Sequence, residues 1–206
     1  MAQRADLVIL TADGQAKAVL SALLARPAAL GIRALHGLEV HVLTGRDPQA
    51  RMQGPELLAR YAITHEHGLL VCDLAGSGWS RSAMSLREDL SSRMHKTWGD
   101  RALPIVCDPE LEEWLVGAPG ALGKLGKRRP QDVTAHWANE GLAAPGRGKP
   151  PDPKAAVHSW LSCVGERPTS SVYRLVAEQA SLKPTCTGAS WPLLLDTLRR
   201  WFPRED

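Results

Sequence analysis

The sequence predicts an α/β protein: a parallel sheet flanked by helices, with a helical extension at the C-terminal end. Three observations predict it. Short apolar runs alternate with amphipathic stretches of helix length as far as Gly117. Three of those runs end on an acid: Val8 to Ala12 leads into Asp13-Gly14, Leu69 to Cys72 into Asp73, and Leu103 to Cys107 into Asp108. Beyond Gly117 the strand signal stops and helical periodicity alone continues.

The elements follow in order. The first strand spans roughly Asp6 to Ala12, and a helix starts at Gln15 with Val19, Leu20, Leu23 and Leu24 on one face. Pro27 ends or kinks it. Ile32 to Leu43 holds the second strand, where Leu38, Val40 and Val42 alternate with Glu39 and His41, as on an edge or half-exposed strand. A short helix is expected at Pro55 to Tyr61, the third strand at Gly68 to Cys72, and a charged helix at Arg81 to Trp98. The fourth strand is Leu103 to Cys107, after which Pro109 at a first helical position opens Glu110 to Val116. Strands separated by helices imply right-handed parallel crossovers. Gly117 to Gly123 reads as loop, Gln131 to Glu140 as helix, and Leu142 to Pro153 as a Pro/Gly-rich linker. Three helices close the chain at Lys154 to Val164, Ser170 to Ala180 and Ser190 to Trp201. The expected organisation is an α/β domain over residues 1–117, a basic connection over 118–153, and a helical region over 154–206.

Composition narrows the function classes. The 206 residues suffice for one compact domain or a domain with an appendage. No apolar run reaches the length of about 18 residues that a membrane span needs, so no membrane partner is expected. The N-terminal residues carry no signal-peptide pattern, which points to the cytoplasm. Cys72, Cys107, Cys163 and Cys186 form no CxxC pair and fit neither zinc nor a disulfide framework. The net charge of +3 neither demands nor excludes nucleic acid. Lys124, Lys127, Arg128 and Arg129, followed by Arg147, Lys149 and Lys154, are either a solvated loop or a set of phosphate-backbone contacts. Seven tryptophans against one phenylalanine point mainly to packing, with base stacking as the lesser reading.

Strand-end acids are the candidate site. Parallel strands deliver their C-terminal ends to one edge, and carboxylates gathered there suit Mg²⁺, which takes oxygen ligands and keeps several waters. Such an ion positions water and stabilises a phosphate in transfer. Asp13 serves equally well as a metal ligand or as the N-cap of the following helix. Asp73 is a ligand or a loop cap. Glu110 and Glu112 are functional acids or, with Glu113, first-turn acids that complement a helix dipole; on a helix from Pro109, Glu110, Glu113 and Trp114 would share a face and Glu112 would point elsewhere. His65 and His67 flank Glu66 in what reads as a turn. Ser77 lacks the GxSxG elbow, and Gly76-Ser77-Gly78 is no P-loop.

Asp13-Gly14, Asp73 and Pro109-Glu110-Leu111-Glu112-Glu113-Trp114 together resemble the TOPRIM-like fold of topoisomerases, primases and OLD-type nucleases. The Pro-Glu-Leu-Glu-x-Trp element is closer to small bacterial TOPRIM-like proteins, and Gly45-Arg46-Asp47-Pro48, Trp98-Gly99-Asp100-Arg101 and Leu198-Arg199-Arg200-Trp201-Phe202 also look similar. The resemblance implies a component of a methylation-associated anti-phage defence system, with other defence proteins and DNA or RNA as partners. It implies Asp13, Asp73, Glu110 and Glu112 as the catalytic set for Mg²⁺-dependent phosphodiester chemistry, the metal itself held by Asp13, Asp73 and Glu112. Two positions depart from the pattern. Ala75 stands where an acid usually follows the strand-three Asp, and Lys17 where the first helix often has one, so metal binding is expected to be weak. The alternative is a non-catalytic assembly or regulatory subunit that binds a protein partner.

Overall fold

The computed structural model describes residues 4–144, 150–182 and 188–204. Its centre is a four-stranded, wholly parallel sheet of β1 (Ala5–Thr11), β2 (Leu38–Val42), β3 (His65–Asp73) and β4 (Ala102–Cys107). The spatial order is β2-β1-β3-β4. The chain therefore steps one way from β1 to β2, then back across to β3 and β4. That reversal falls between the C-terminal ends of β1 and β3, the position where open α/β sheets hold ligands.

Two cores explain why these segments are strands. On one face Leu7, Ile9, Leu69, Val71, Ile105 and Cys107 point toward α1 (Gly14–Leu24) and toward the helices that follow the sheet. On the other, Val8, Leu10, Leu70, Cys72 and Val106 pack under α3 (Arg46–Ala59) and α4 (Ala83–Trp98). Strand residues buried on both faces must be apolar in a continuous run. β2 lies at the edge, half exposed, as its alternation predicts. The short α2 (Pro27–Leu30) ends on Gly31 at φ 76.

The helical half covers the first of these faces. It comprises α5 (Glu112–Val116), α6 (Pro119–Leu125), α7 (Pro130–Asn139), α8 (Pro153–Cys163), α9 (Ser170–Gln179) and α10 (Ser190–Trp201). Here α9 packs along α1 and α8 against α5. Five tryptophans (Trp98, Trp114, Trp137, Trp160 and Trp191) are buried, and Trp79 and Trp201 are partly buried. Trp114, Trp137 and Trp160 donate their indole N–H groups to Ser190 Oγ, Ala156 O and Leu122 O. These three are packing material with a satisfied polar handle, whereas the buried Trp98 Nε1 in the opposite core has no hydrogen-bond partner. Among the described residues no helix is long and apolar enough to cross a membrane.

Four local expectations are corrected. The third helix starts at Arg46, not Pro55, and carries Pro55 in its interior. Ala50, Gly54 and Leu58 form its buried stripe against the sheet, and that packing outweighs the lost proline N–H. Residues 119–125 are helix, not loop. Their glycines answer crowding: a Cβ on Gly123 would lie 2.6 Å from the Arg128 carbonyl oxygen. Pro109 follows a cis peptide, and the helix after β4 begins at Glu112. His65 and His67 belong to β3 rather than to a turn.

Close packing at Gly54 sets a first prediction. Glycine-to-alanine inside a helix ordinarily stabilises by about 1 kcal/mol. Here the new Cβ would lie 2.6 Å from Leu70 Cδ2, and Leu70 is fully buried at 0% exposure. Gly54→Ala is expected to destabilise by about 1–3 kcal/mol in chemical denaturation, the cost of overpacking.

Candidate metal centre

Each acid of the candidate site is delivered by the end of a strand. β1 stops at Thr11, whose Oγ1 donates to the Asp13 carbonyl at 2.9 Å and turns the chain. Asp13 is then extended and accepts the Ala16 N–H on Oδ1 at 2.8 Å, so it caps α1. The capping role is thus present, and it leaves Oδ2 available.

Asp73 is the last residue of β3, paired with Cys107 of β4. Its Oδ1 accepts the Leu111 N–H at 2.9 Å, which draws the segment after β4 over the strand end. Its own N–H donates to Asp47 Oδ1 at 2.8 Å. Asp47 sits in the first turn of α3, the helix that follows β2. Backbone bonds from Leu74 to Cys107 O and from Ala75 to Pro109 O stitch the two loops together. Ala75 itself is exposed, as is Lys17 on α1.

Glu110 and Glu112 reach the same neighbourhood from the segment after β4. Because helix geometry begins only at Glu112, the expected shared face of Glu110 and Glu113 does not form. Glu112 is buried at 3% exposure and accepts the Tyr173 hydroxyl on Oε1 at 2.7 Å. The Tyr173 oxygen is also 3.3 Å from His158 Nε2. Glu110 Oε1 is paired with Lys154 Nζ at 2.7 Å. Glu113 is fully buried on another side, where it accepts from Ser190 Oγ.

The electrostatics show one cluster. Burial, followed by the fields of Asp47, Glu112, Asp13 and Glu110, pushes the Asp73 carboxyl up to about 9. Burial also raises Asp47, and Asp13 and Glu110 add to it against the opposing Asp73 N–H bond. For Lys154 burial works against the ammonium, but Glu110, Glu112 and Asp73 outweigh it and the net shift is upward. Tyr173 is held protonated by burial and by Glu112. Like charges gathered in a partly dry crevice disfavour ionisation of the group at their centre.

The donors are carboxylate oxygens, the ligand type Mg²⁺ and Mn²⁺ take. Asp13, Asp73 and Glu112 are the acids that would hold such an ion, with Asp47 beside them. In this arrangement Glu110 and Glu112 are turned to Lys154 and Tyr173. Among the described residues no three His, Cys, Asp or Glu side chains are poised to grip one ion.

The other expected groups lie elsewhere. Lys124, Lys127, Arg128 and Arg129 are exposed around the turn from α6 to α7, where Arg129 pairs with Asp132 at 3.2 Å. Arg147 and Lys149 lie outside the described residues, as does Cys186. Cys72 and Cys107 are buried, Cys163 is exposed, and burial raises the Cys72 and Cys107 thiols.

Three contributors escaped the sequence reading: Asp47, Lys154 and Tyr173. Asp47 had a usable signal, since it follows the end of β2 as Asp13 follows β1. The late placement of the third helix hid it. Lys154 and Tyr173 had none, because nothing local marks a residue that meets an acid 44 or 61 positions away. No family model, no curated protein and no solved structure matches this chain.

A raised Asp73 has a definite pH signature. Between its ordinary value of 3.8 and about 9 the folded chain keeps a proton that the unfolded chain has released. This contribution to stability is full below the lower value and is lost as pH rises, by up to about 1.4 kcal/mol per pH unit. In chelator-containing buffer the melting temperature should fall from about pH 6 to about pH 9. Asp73→Asn, which keeps the Oδ1 acceptor for Leu111, should flatten that slope. An unchanged slope would place the ionised form in the folded chain.

Proposed function

We propose that this chain is a TOPRIM-like component of a bacterial anti-phage defence system, cytoplasmic and acting on or near nucleic acid. The observation that carries this reading is the crevice at the switch point of the sheet. There Asp73 is tied to Asp47 and to the segment that bears Glu110 and Glu112, and burial, followed by the fields of Asp47, Glu112, Asp13 and Glu110, pushes it up to about 9. A carboxylate cluster of that kind is relieved by a cation. A bound Mg²⁺ would supply charge stabilisation to a phosphodiester in the crevice. The chain's own contribution is orientation. Backbone N–H groups fix one oxygen each of Asp13, Asp47 and Asp73, and so aim the other. Glu110 and Glu112 complete the acidic rim. The exposed cations Lys124, Lys127, Arg128 and Arg129 are suited to a phosphate backbone.

A second reading, a non-catalytic assembly or regulatory subunit that binds another defence protein, is favoured by a specific observation. Both glutamates already have partners within the chain, Lys154 and Tyr173, and position 75 supplies no acid. Weak divalent binding and little or no nuclease activity in the isolated chain are the expected outcomes, read by titration calorimetry with Mg²⁺ and Mn²⁺ and by plasmid nicking. Strong metal-dependent cleavage that Asp73→Asn abolishes would decide for the catalytic reading and against the subunit.

Nucleic-acid binding is a separate measurement. Binding through the α6–α7 turn is sequence-independent and falls steeply with salt, because it works by counterion release. Replacing Lys127, Arg128 and Arg129 together by Glu should weaken binding to all sequences alike. On duplex DNA it should also reduce the salt slope by about 0.9 for every phosphate that the chain no longer neutralises. If the unmodified chain binds neither DNA nor RNA at low salt, a protein partner takes their place.

A further inference from the structure

Lys154 stands at an unusual place for a lysine. It is the second residue of α8, behind the Asp152 cap and Pro153, where the helix dipole disfavours a cation. Its ammonium nonetheless turns inward to Glu110 Oε1 at 2.7 Å, with the side chain 45% exposed and Glu110 19% exposed. Tyr173 on α9 does the same for the other glutamate, donating to Glu112 at 2.7 Å. The two helices are anchored on the elements that bear the acids, α8 on α5 and α9 on α1. The helical region thus brings one positive charge and one hydroxyl to the crevice.

We propose that Lys154 is the built-in cation of the acidic crevice: it holds Glu110 away from a divalent ion and occupies part of the charge role that ion would fill. The inference rests on the crevice being a cation site, and it names what keeps that site weak. A single ammonium cannot neutralise several carboxylates. It does offset one unit of negative charge beside Asp13, Asp73 and Glu112, and the charge of a site sets its divalent affinity. The Lys154–Glu110 pair is also part of the packing between α8 and the segment leading into α5. Divalent binding at the crevice is therefore coupled to the seating of α8.

The test uses the full chain with Mn²⁺ as the probe. Lys154→Met keeps the length of the side chain and removes the charge; Lys154→Arg keeps the charge. In metal-free buffer Lys154→Met should melt lower than the parent chain. It should bind Mn²⁺ at least about tenfold more tightly by calorimetry, through the negative charge set free at Glu110. Mn²⁺ should then raise its melting temperature more than the parent's, since a ligand that binds only the folded state stabilises it. Lys154→Arg should match the parent. Lys154→Gln serves the same purpose should the Met variant fail to fold. Equal Mn²⁺ affinity in parent and variant overturns the role of Lys154 while leaving a cation site in place. No Mn²⁺ binding by any form overturns the cation site itself, and the inference with it.

Discussion

Everything at the functional edge of this molecule depends on Asp73 being held at the end of a strand that lies between two others. β3 is internal, flanked by β1 and β4, and its last residue meets the segment that leaves β4 and the first turn of α3, which follows β2. Asp73 uses both of its local hydrogen-bonding groups to collect them. Its side chain takes the Leu111 N–H and its main chain gives a proton to Asp47. Two acids and an acid-bearing segment are thereby locked together in a partly dry space. Buried polar groups must be satisfied by partners, and here the satisfaction of one carboxyl brings another beside it. The charge conflict is built into the same bonds that close the fold.

The helical half is the molecule's response to that edge as well as to its apolar face. A sheet face lined by Leu7, Ile9, Leu69, Val71 and Ile105 has to be covered, and α1 with α5–α10 cover it. Coverage by indole rings brings donors that need acceptors. Trp114, Trp137 and Trp160 find them within the same layer, which gives the packing direction as well as area. Once α8 and α9 are seated, Lys154 and Tyr173 arrive at the two glutamates. A face that exists for burial therefore also decides which acids remain available to a ligand.

The opposite core is built differently and meets this chemistry at one residue. Leu58, Leu70, Leu86, Leu90, Met94 and Trp98 pack α3 and α4 on the sheet without tryptophan-to-backbone ties. Its link to the site is Asp47, which α3 carries at its first turn. The acidic crevice therefore draws on both layers. Loosening either one changes the spacing of the acids without touching them.

The sheet, its parallel sense and the edge position of β2 were legible because each rests on a local pattern. Apolar runs of strand length repeat between helical periods, and alternation at Leu38 to Val42 marks a half-exposed strand. The delivery of Asp13 and Asp73 to one edge was legible too, since parallel strands leave no other arrangement. Helix starts were less so. Pro55 reads as a helix start and Gly117 to Gly123 as loop, yet Pro55 and Gly120 to Gly123 lie inside helices, where Leu70 and the Arg128 carbonyl crowd Gly54 and Gly123. Tertiary structure alone decided that Asp47 joins the cluster and that Lys154 and Tyr173 take up Glu110 and Glu112. Sequence periodicity reports which way a side chain points from its own element. It carries no information on which distant element will be standing there.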